Sequence, residues 1–412
     1  MTDRSPRWTV TGPGEDIADP LFYTGTRHLE VWREARREHP IAWTESARVG
    51  GFWSVTTHDL GNQILRNPKT FPSGQGMRLG GNPAAVRMAS GRMLVVSDGD
   101  VHRGLRAAHS TWFTGKAISV IHPDLERTVE DLLRGILAQD AEFDAVADLS
   151  VKVPMWVLFE MMGVPDADRE ELAALTATGF DDSDESPAGA EARATAHTAI
   201  FAYFMDLLYR RKSRPGTDIV TSLVQARMNG RPLSEEEVIL NCDGLLNGGL
   251  ETTPHAISGA LLAFSQYPGE WSRLKKDPQL VDSAVEEILR WTAPPMHAMR
   301  TAAESTIIGG AEIRSGDQVA VWLPSCNRDE NAFTDPDLFL IDRKPNPHIC
   351  FGVGPHYCVG ALLARLELKC FLTALVRLVA SVEVTGEPSR QRSNFLHGLT
   401  RLDVRLTPEP AP

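Results

Sequence analysis

The sequence predicts a mainly α chain carrying small β-sheets. Three observations predict it. Apolar residues recur at helical spacing through residues 98–290. The strand-like runs outside that block are short, and several must pair across long stretches of chain. No internal repeat, low-complexity tract or linker divides the 412 residues, so they read as one domain, 1–412.

Taken in order, about the first 25 residues are rich in Pro, Gly and Asp and read as an irregular arm. A helix is predicted over 29–37, then a hairpin from strands 41–44 and 52–56. Residues 71–96 lack clean periodicity and carry Gly74, Gly76, Gly80, Gly81, Pro83 and Gly91 beside Met77, Met88 and Met93. A loop longer than about 15 residues is usually functional or disordered, and this one reads as a mobile apolar flap. Helices fill 98–290, with a polar loop tip at 181–190. A strand pair is predicted from 306–308 and 319–323, turned at Ser315-Gly316-Asp317. A long helix over 359–378 and strands at 382–384 and 402–406 close the chain.

The formal net charge is −12, with 23% charged and 42% hydrophobic residues. A nucleic-acid binder needs a basic face, which this balance argues against; docking on anionic lipid is disfavoured likewise. No run approaches the ~18 uninterrupted apolar residues of a membrane span, and residues 1–6 lack the apolar segment of a secretion signal. The five cysteines, Cys242, Cys326, Cys350, Cys358 and Cys370, are odd in number and show no CxxC spacing. A disulfide framework and a zinc knuckle are both poor readings, so a reducing cytoplasm is expected.

The most informative stretch is Phe351-Gly352-Val353-Gly354-Pro355-His356-Tyr357-Cys358-Val359-Gly360. Its glycines allow a tight turn close to a flat or bulky group. Cys358 then stands at the start of a long helix, whose positive end favours a thiolate. A lone, loop-cradled thiolate suits a haem axial ligand. A phosphate-cradling loop fits less well, because the Val-rich strand and the Lys/Ser-Thr pair are missing.

A second anomaly lies upstream. Ser234-Glu235-Glu236-Glu237 has capping-box spacing, and the apolar run after it predicts a helix of about 33 residues, roughly 50 Å long. Its centre nevertheless reads Gly248-Gly249-Leu250-Glu251-Thr252-Thr253-Pro254. Each Gly costs about 0.8–1 kcal/mol against Ala, and Pro254 removes an N–H. Such costs gathered at one place predict a local distortion with a purpose.

These segments resemble the cytochrome P450 family. Residues 351–360 meet every fixed position of its haem-ligand signature, F-G-x-G-x-H-x-C-x-G, and 248–253 resemble its oxygen-activating motif, with Pro254 a departure. The resemblance spans about residues 29–406 and is weakest at 71–96 and 179–202. It implies the cytochrome P450 fold, with haem b between the broken helix and the cysteine helix. It makes Cys358 the iron ligand, with Phe351 and Gly360 shaping its loop. Gly248 and Gly249 would lie over the haem and leave room for O2. Thr252 would steady the oxygen ligand and its water, and Glu251 would supply protons. Glu287-Ile288-Leu289-Arg290 resembles the family's E-x-x-R pair, completed by Arg343, a structural set retaining the haem. His102, Arg106, Arg300 and His356 take the positions that bind the haem propionates.

The implied function is a soluble bacterial monooxygenase, inserting one oxygen atom of O2 into a C–H bond of a secondary-metabolite substrate. Donation from the thiolate favours O–O cleavage. Electrons would come from a ferredoxin and its reductase, and the protein would be a cytoplasmic monomer. Candidate substrate contacts are Met93, Leu94, Leu245, Gly248, Pro295, Met296, His297, Ala298, Phe395 and Leu396. Several stretches, among them 51–55, 91–96, 240–243, 290–292 and 343–346, are similar to bacterial enzymes that β-hydroxylate amino acids tethered to carrier domains. The substrate is then an aminoacyl or acyl group on a carrier protein. The alternatives are a free polyketide or terpenoid, epoxidation or aryl coupling on the same fold, or a haem protein without catalysis. Retention of Thr252 and Glu251 argues against the last.

Overall fold

The computed structural model describes residues 5–8, 15–180, 184 and 186–410. The chain begins with β1 (Arg7–Trp8), α1 (Arg27–Glu38), and the hairpin β2 (Ile41–Thr44) and β3 (Phe52–Val55). α2 (His58–Leu65), α3 (Pro83–Ala89), α4 (Gly99–Ser110) and α5 (Gly115–Leu137) follow. β4 (Phe143–Asp144) leads to α6 (Lys152–Met162), α7 (Asp166–Phe180), α8 (Pro187–Ser213) and α9 (Ile219–Gln225). The hairpin β5 (Arg227–Met228) and β6 (Arg231–Pro232) precedes α10 (Glu235–Leu250), α11 (Thr253–Gln266), α12 (Pro268–Lys276) and α13 (Val281–Thr292). Then come β7 (His297–Thr301), β8 (Thr306–Ile308), β9 (Ala311–Ile313), β10 (Gln318–Trp322), α14 (Leu323–Cys326) and α15 (Ala361–Leu378). β11 (Val379–Val384), β12 (Ser389–Arg390), β13 (Leu399–Arg401) and β14 (Asp403–Pro408) close the chain.

The helices share one apolar core, in which Leu133 of α5, Phe159 of α6, Leu246 of α10, Leu261 of α11 and Phe371 of α15 are fully buried. A five-stranded sheet, ordered β1-β2-β3-β10-β7, forms the second layer. Trp32, Trp53 and Trp322 fill its two faces. No helix is long and apolar enough to cross a membrane among the described residues.

The hairpin 41–44 and 52–56 forms nearly as the sequence predicts, with Ile41 opposite Val55 and Thr44 opposite Phe52. Three expectations need correction. The arm is not wholly irregular, because Arg7 and Trp8 add a strand parallel to Trp43 and Thr44; residues 9–14 lie outside the described ones. The strand at 306–308 pairs with Ala311–Ile313, not with 319–323. Gly309 and Gly310 both hold positive φ, 55° and 82°, which is what a two-residue hairpin turn needs. β10 instead lies between β3 and β7, parallel to the first and antiparallel to the second.

The segment 71–96 is stitched down rather than loose. It contains α3, capped by the Asn82 side chain. Met299 N donates to Met77 O at 3.0 Å, and Leu79 N to His297 Nε2 at 2.9 Å. Asn241 on α10 accepts from Leu94 N at 3.0 Å and donates to Arg92 O at 2.8 Å. Of the loop tip expected at 181–190, residues 181–183 and 185 lie outside the described residues; α8 has begun by Pro187.

Candidate haem site

The cysteine loop is fixed before its helix begins. Gly352 and Gly354 hold φ of +66° and +76°. A Cβ on Gly354 would lie 2.8 Å from Leu65 O at the end of α2, so only glycine fits there. Tyr357 N donates to Gly354 O at 3.0 Å, and Cys358 N to Phe351 O at 2.9 Å. The Arg365 guanidinium lies over the Phe351 ring at 4.6 Å. α15 starts only at Ala361, with Gly360 as its N-cap.

Cys358 as a residue is exposed, whereas the other four cysteines are buried. Protein nonetheless crowds the thiol closely enough that desolvation raises its pKa, against the opposing pull of a Gly360 backbone bond, Arg106 and Arg365. The Gly360 N–H at the helix N-cap does lower the pKa as the sequence predicts, but burial outweighs it.

Beside this loop the structure gathers the cationic groups. His102 and Arg106 share a face of α4, which is capped at Asp98. Arg106 Nη1 donates to Tyr357 O. The His102 and His356 rings are 4.2 Å apart. His356 Nε2 is 3.1 Å from Asp98 Oδ1 and 3.2 Å from Ser73 Oγ. Asp98 Oδ2 accepts from Ser73 N and Gly74 N, both at 2.9 Å. The contacts of Asp98 with Ser73, Gly74 and His356, which anchor the cysteine loop, were not visible in the sequence.

Two groups in this set are poorly answered by protein. His102 Nε2 is buried without a hydrogen-bond partner, and burial holds the ring neutral, its pKa down to about 4. Arg300 on β7 is 7% exposed and donates to Met299 O at 2.7 Å. Burial pulls its pKa down to about 10. Buried cations are normally paired, and Arg300 pairs with no carboxylate among the described residues. A dicarboxylate placed here would satisfy both, so these residues fit the propionate edge of a haem.

Glu287, Arg290 and Arg343 form a buried charge cluster. Arg290 and Glu287 are bidentate at 2.7 and 2.8 Å, and both are fully buried. Arg343 Nε reaches both Glu287 oxygens at 3.0 and 3.2 Å. The guanidiniums also donate to the carbonyls of Asn327, Pro336, Leu338 and Asp335. A neighbouring set went unread in the sequence. Glu286 accepts from Arg365 Nε and Nη2 at 2.6 and 2.8 Å and sits 3.0 Å from His348 Nε2. Arg365 also donates to Tyr357 Oη at 3.0 Å, so it ties the cysteine loop to α13. Despite the cost of burial, Arg365 and His348 hold the Glu286 pKa at about 2.

The long helix is broken as expected. α10 ends at Leu250 and α11 begins at Thr253, with Glu251 and Thr252 between them. Pro254 therefore lies in the first turn of α11, where its missing N–H costs nothing. The two glycines do different work. A Cβ on Gly248 would meet nothing within 4 Å, whereas one on Gly249 would lie 3.1 Å from Leu158 Cδ2 on α6. Gly248 keeps space open, and Gly249 lets α10 pack against α6. Thr252 Oγ1 donates to Gly248 O at 2.9 Å, so its lone pairs remain to accept.

The pocket candidates divide. Met93 approaches Gly244 on α10, with Leu94 and Leu245 buried nearby in the helical core. Pro295, Ala298 and Phe395 are half-buried, and Pro295 bridges to Leu396. Met296 is buried in the sheet core. His297 is 1% exposed, bonded through Nδ1 to Asn394 O at 3.0 Å and through Nε2 to Leu79 N. Met296 thus packs the sheet core, and His297 ties Asn394 to the segment around Leu79.

The Cytochrome P450 family model matches residues 191–394. Cytochrome P450 NovI of Streptomyces niveus is 36% identical over 95% of this chain and 96% of its own length. Linalool 8-monooxygenase of Pseudomonas putida is 33% identical over 96% of the chain and 99% of its own. Among solved structures, P450 OxyD, involved in the biosynthesis of vancomycin-type antibiotics, superposes with a TM-score of 0.88 at 37% identity, covering 96% of this chain and 100% of its own. P450BioI, solved with an acyl carrier protein ligated to hexadec-9Z-enoic acid, gives 0.83 at 30%, covering 92% and 97%. The chain belongs to the cytochrome P450 family, monooxygenases that hold haem b on a cysteine thiolate and use O2.

Proposed function

We propose that this monooxygenase acts in secondary metabolism on an aminoacyl or acyl group presented by a carrier protein, with Cys358 as its iron ligand. The observation that carries the site assignment is the cationic set beside the Cys358 loop. Arg300 and His102 Nε2 are buried and left for an anion, while Arg106 and His356 flank them. Haem b on the Cys358 thiolate supplies activation of O2 and transfer of one oxygen atom to a C–H bond.

The chain's own residues do the rest. Arg300, Arg106, His102 and His356 hold the propionates. Glu287, Arg290 and Arg343 brace the segment that precedes the cysteine loop, and Arg365 clamps the loop to Glu286. Gly248 keeps space free on the opposite side. Thr252 has committed its proton to Gly248 O, so its oxygen accepts from a water and orients it. Glu251, half-buried at the end of α10, moves protons towards that water. Met93 and Leu94 form an apolar wall beside α10, and Pro295, Ala298, Phe395 and Leu396 form another. Electrons arrive from a ferredoxin and its reductase, and the protein works as a cytoplasmic monomer.

The substrate class rests on the similar stretches named above, on OxyD in antibiotic biosynthesis, and on P450BioI with its carrier protein. The test compares a free amino or fatty acid with the same group loaded on a carrier domain. Carrier loading is expected to tighten the water-displacement spectral change of ferric haem and to permit turnover. Equal binding and turnover of the free compound would refute the carrier reading and leave the monooxygenase assignment intact.

A further inference from the structure

A second cluster of ligand-type side chains lies away from the haem site. His122 and Glu126 stand one turn apart on α5, and Cys370 faces them from α15. One donor atom from each lies within 4.8 Å of the other two. His122 Nε2 is 3.3 Å from Glu126 Oε1. Cys370 is 3% exposed, whereas His122 and Glu126 have side chains 39% and 55% exposed. An ion could thus enter from solvent and bond a sheltered sulfur. A further observation points the same way. Glu367, one turn before Cys370 on the same helix, is 3% exposed, and its Oε2 has no hydrogen-bond partner. Burial raises the Glu367 pKa to about 8, and a cation beside it would favour the ionised form.

We propose that His122, Glu126 and Cys370 bind a zinc-like divalent cation that bridges α5 and α15. An imidazole nitrogen, a carboxylate oxygen and a thiolate sulfur are the donors zinc accepts, and magnesium or calcium would demand oxygen alone. Tetrahedral bonds of about 2.0–2.3 Å place donor atoms roughly 3.2–3.8 Å apart. The His122–Glu126 separation already meets this, and side-chain rotation can close the sulfur distance. Water would complete the four positions. On binding, the zinc–sulfur bond replaces the Cys370 S–H bond, and the proton leaves to solvent; no electrons are transferred. The site stands about 14 Å along α15 from Ala361, at 1.5 Å per residue, so it is separate from Cys358. It fastens the helix that carries the haem-ligand loop to its main packing partner.

The test is calorimetric titration of haem-loaded, chelator-stripped protein with zinc chloride, in two buffers of different ionisation heat. One equivalent is expected to bind with release of one proton, and the thermal midpoint is expected to rise by a few degrees at saturation. His122→Ala, Glu126→Gln and Cys370→Ala should each weaken binding about tenfold or more, with the reduced carbon monoxide spectrum unchanged. Glu126→Gln is an exposed, conservative change, so it keeps the test valid if Cys370→Ala fails to fold. Absence of stoichiometric binding, or binding unchanged in Glu126→Gln and His122→Ala, would overturn the proposal.

Discussion

Removing the carboxylate of Glu287 should come close to unfolding the protein. The side chain is fully buried and accepts six hydrogen-bond contacts: two from Arg290, two from the bifurcated Arg343 Nε, one from Leu340 N and one from Asn346 Nδ2. Glu287→Ala leaves two buried guanidiniums without their counter-charge. Breaking a buried ion pair by removing one partner costs about 3–5 kcal/mol. The Leu340 N–H and the Asn346 amide also lose an acceptor, roughly 1 kcal/mol each. The sum of about 5–7 kcal/mol is comparable with the whole stability of a typical protein, about 5–15 kcal/mol. Glu286→Gln is the matched control. Glu286 is partly exposed and neutralisation keeps its shape; its pKa held at about 2 corresponds to roughly 2–3 kcal/mol after solvent screening, so a clearly smaller loss than for Glu287→Ala is expected. The readouts are the yield of haem-loaded protein and the urea midpoint followed by helical circular dichroism. A Glu287→Ala protein with normal yield and an unshifted midpoint would refute this account of the cluster.

Further outcomes follow from the site. Cys358→Ala should lose the red-shifted Soret band of the reduced carbon monoxide complex; retention of that band would sink the ligand assignment. Thr252→Ala should keep haem and substrate binding but release more peroxide per electron consumed, and unchanged coupling would assign proton delivery to another group. Gly248→Ala adds a methyl where nothing lies within 4 Å, so stability should hold or rise by about 0.5–1 kcal/mol while spectral titration shows hindered ligand binding. Acid should destabilise early. Burial lowers the pKa of His28 to about 2, His397 to about 3 and His255 to about 4, against ~6.5 unfolded. The unfolded chain binds the extra protons, so stability is full above pH ~6.5 and falls as pH drops towards those lower values. Each ring should cost about 1 kcal/mol between pH 6.5 and 5.5; a flat urea midpoint over that window would contradict neutral burial.

What could be read in the sequence was local. The capping box at Ser234 and Glu237 forms with both reciprocal bonds. The break in the long helix falls where Gly and Pro concentrate, because backbone penalties are additive along a helix. The E-x-x-R spacing places both side chains on one face, and they do meet. Pairings across distance were less legible. Gly309-Gly310 is a strong two-residue turn signal, yet Ser315-Gly316-Asp317 competed with it, and Asp317 instead caps its own turn at Arg314 N and holds Trp53 Nε1. Glu286 with Arg365, Asp98 with His356, and Asn241 with Leu94 each join residues tens to hundreds of positions apart. No periodicity encodes such contacts. They depend on which helix faces the core decides to bury, and only then do the polar groups at the margins find one another.

Cys358 marks the boundary between the two kinds of information. Its loop is legible because Gly352, Gly354 and Gly360 constrain the backbone locally, and the family signature is dense there. Its protonation is not legible from the same residues. A helix N-terminus lowers a thiol pKa, and the Gly360 N–H at the N-cap of α15 does so here. Desolvation by burial then outweighs the help from Gly360, Arg106 and Arg365. Burial without the haem thus favours the protonated thiol. With Cys358 as the proposed iron ligand, coordination would supply the deprotonation, because binding to a cation deprotonates a thiol outright. Haem loading should therefore release a proton from Cys358 and strengthen with rising pH, while the cations around it, Arg106 and Arg365, stabilise the charge once formed. Uptake of haem that is insensitive to pH between 6 and 8 would show that another group carries that proton.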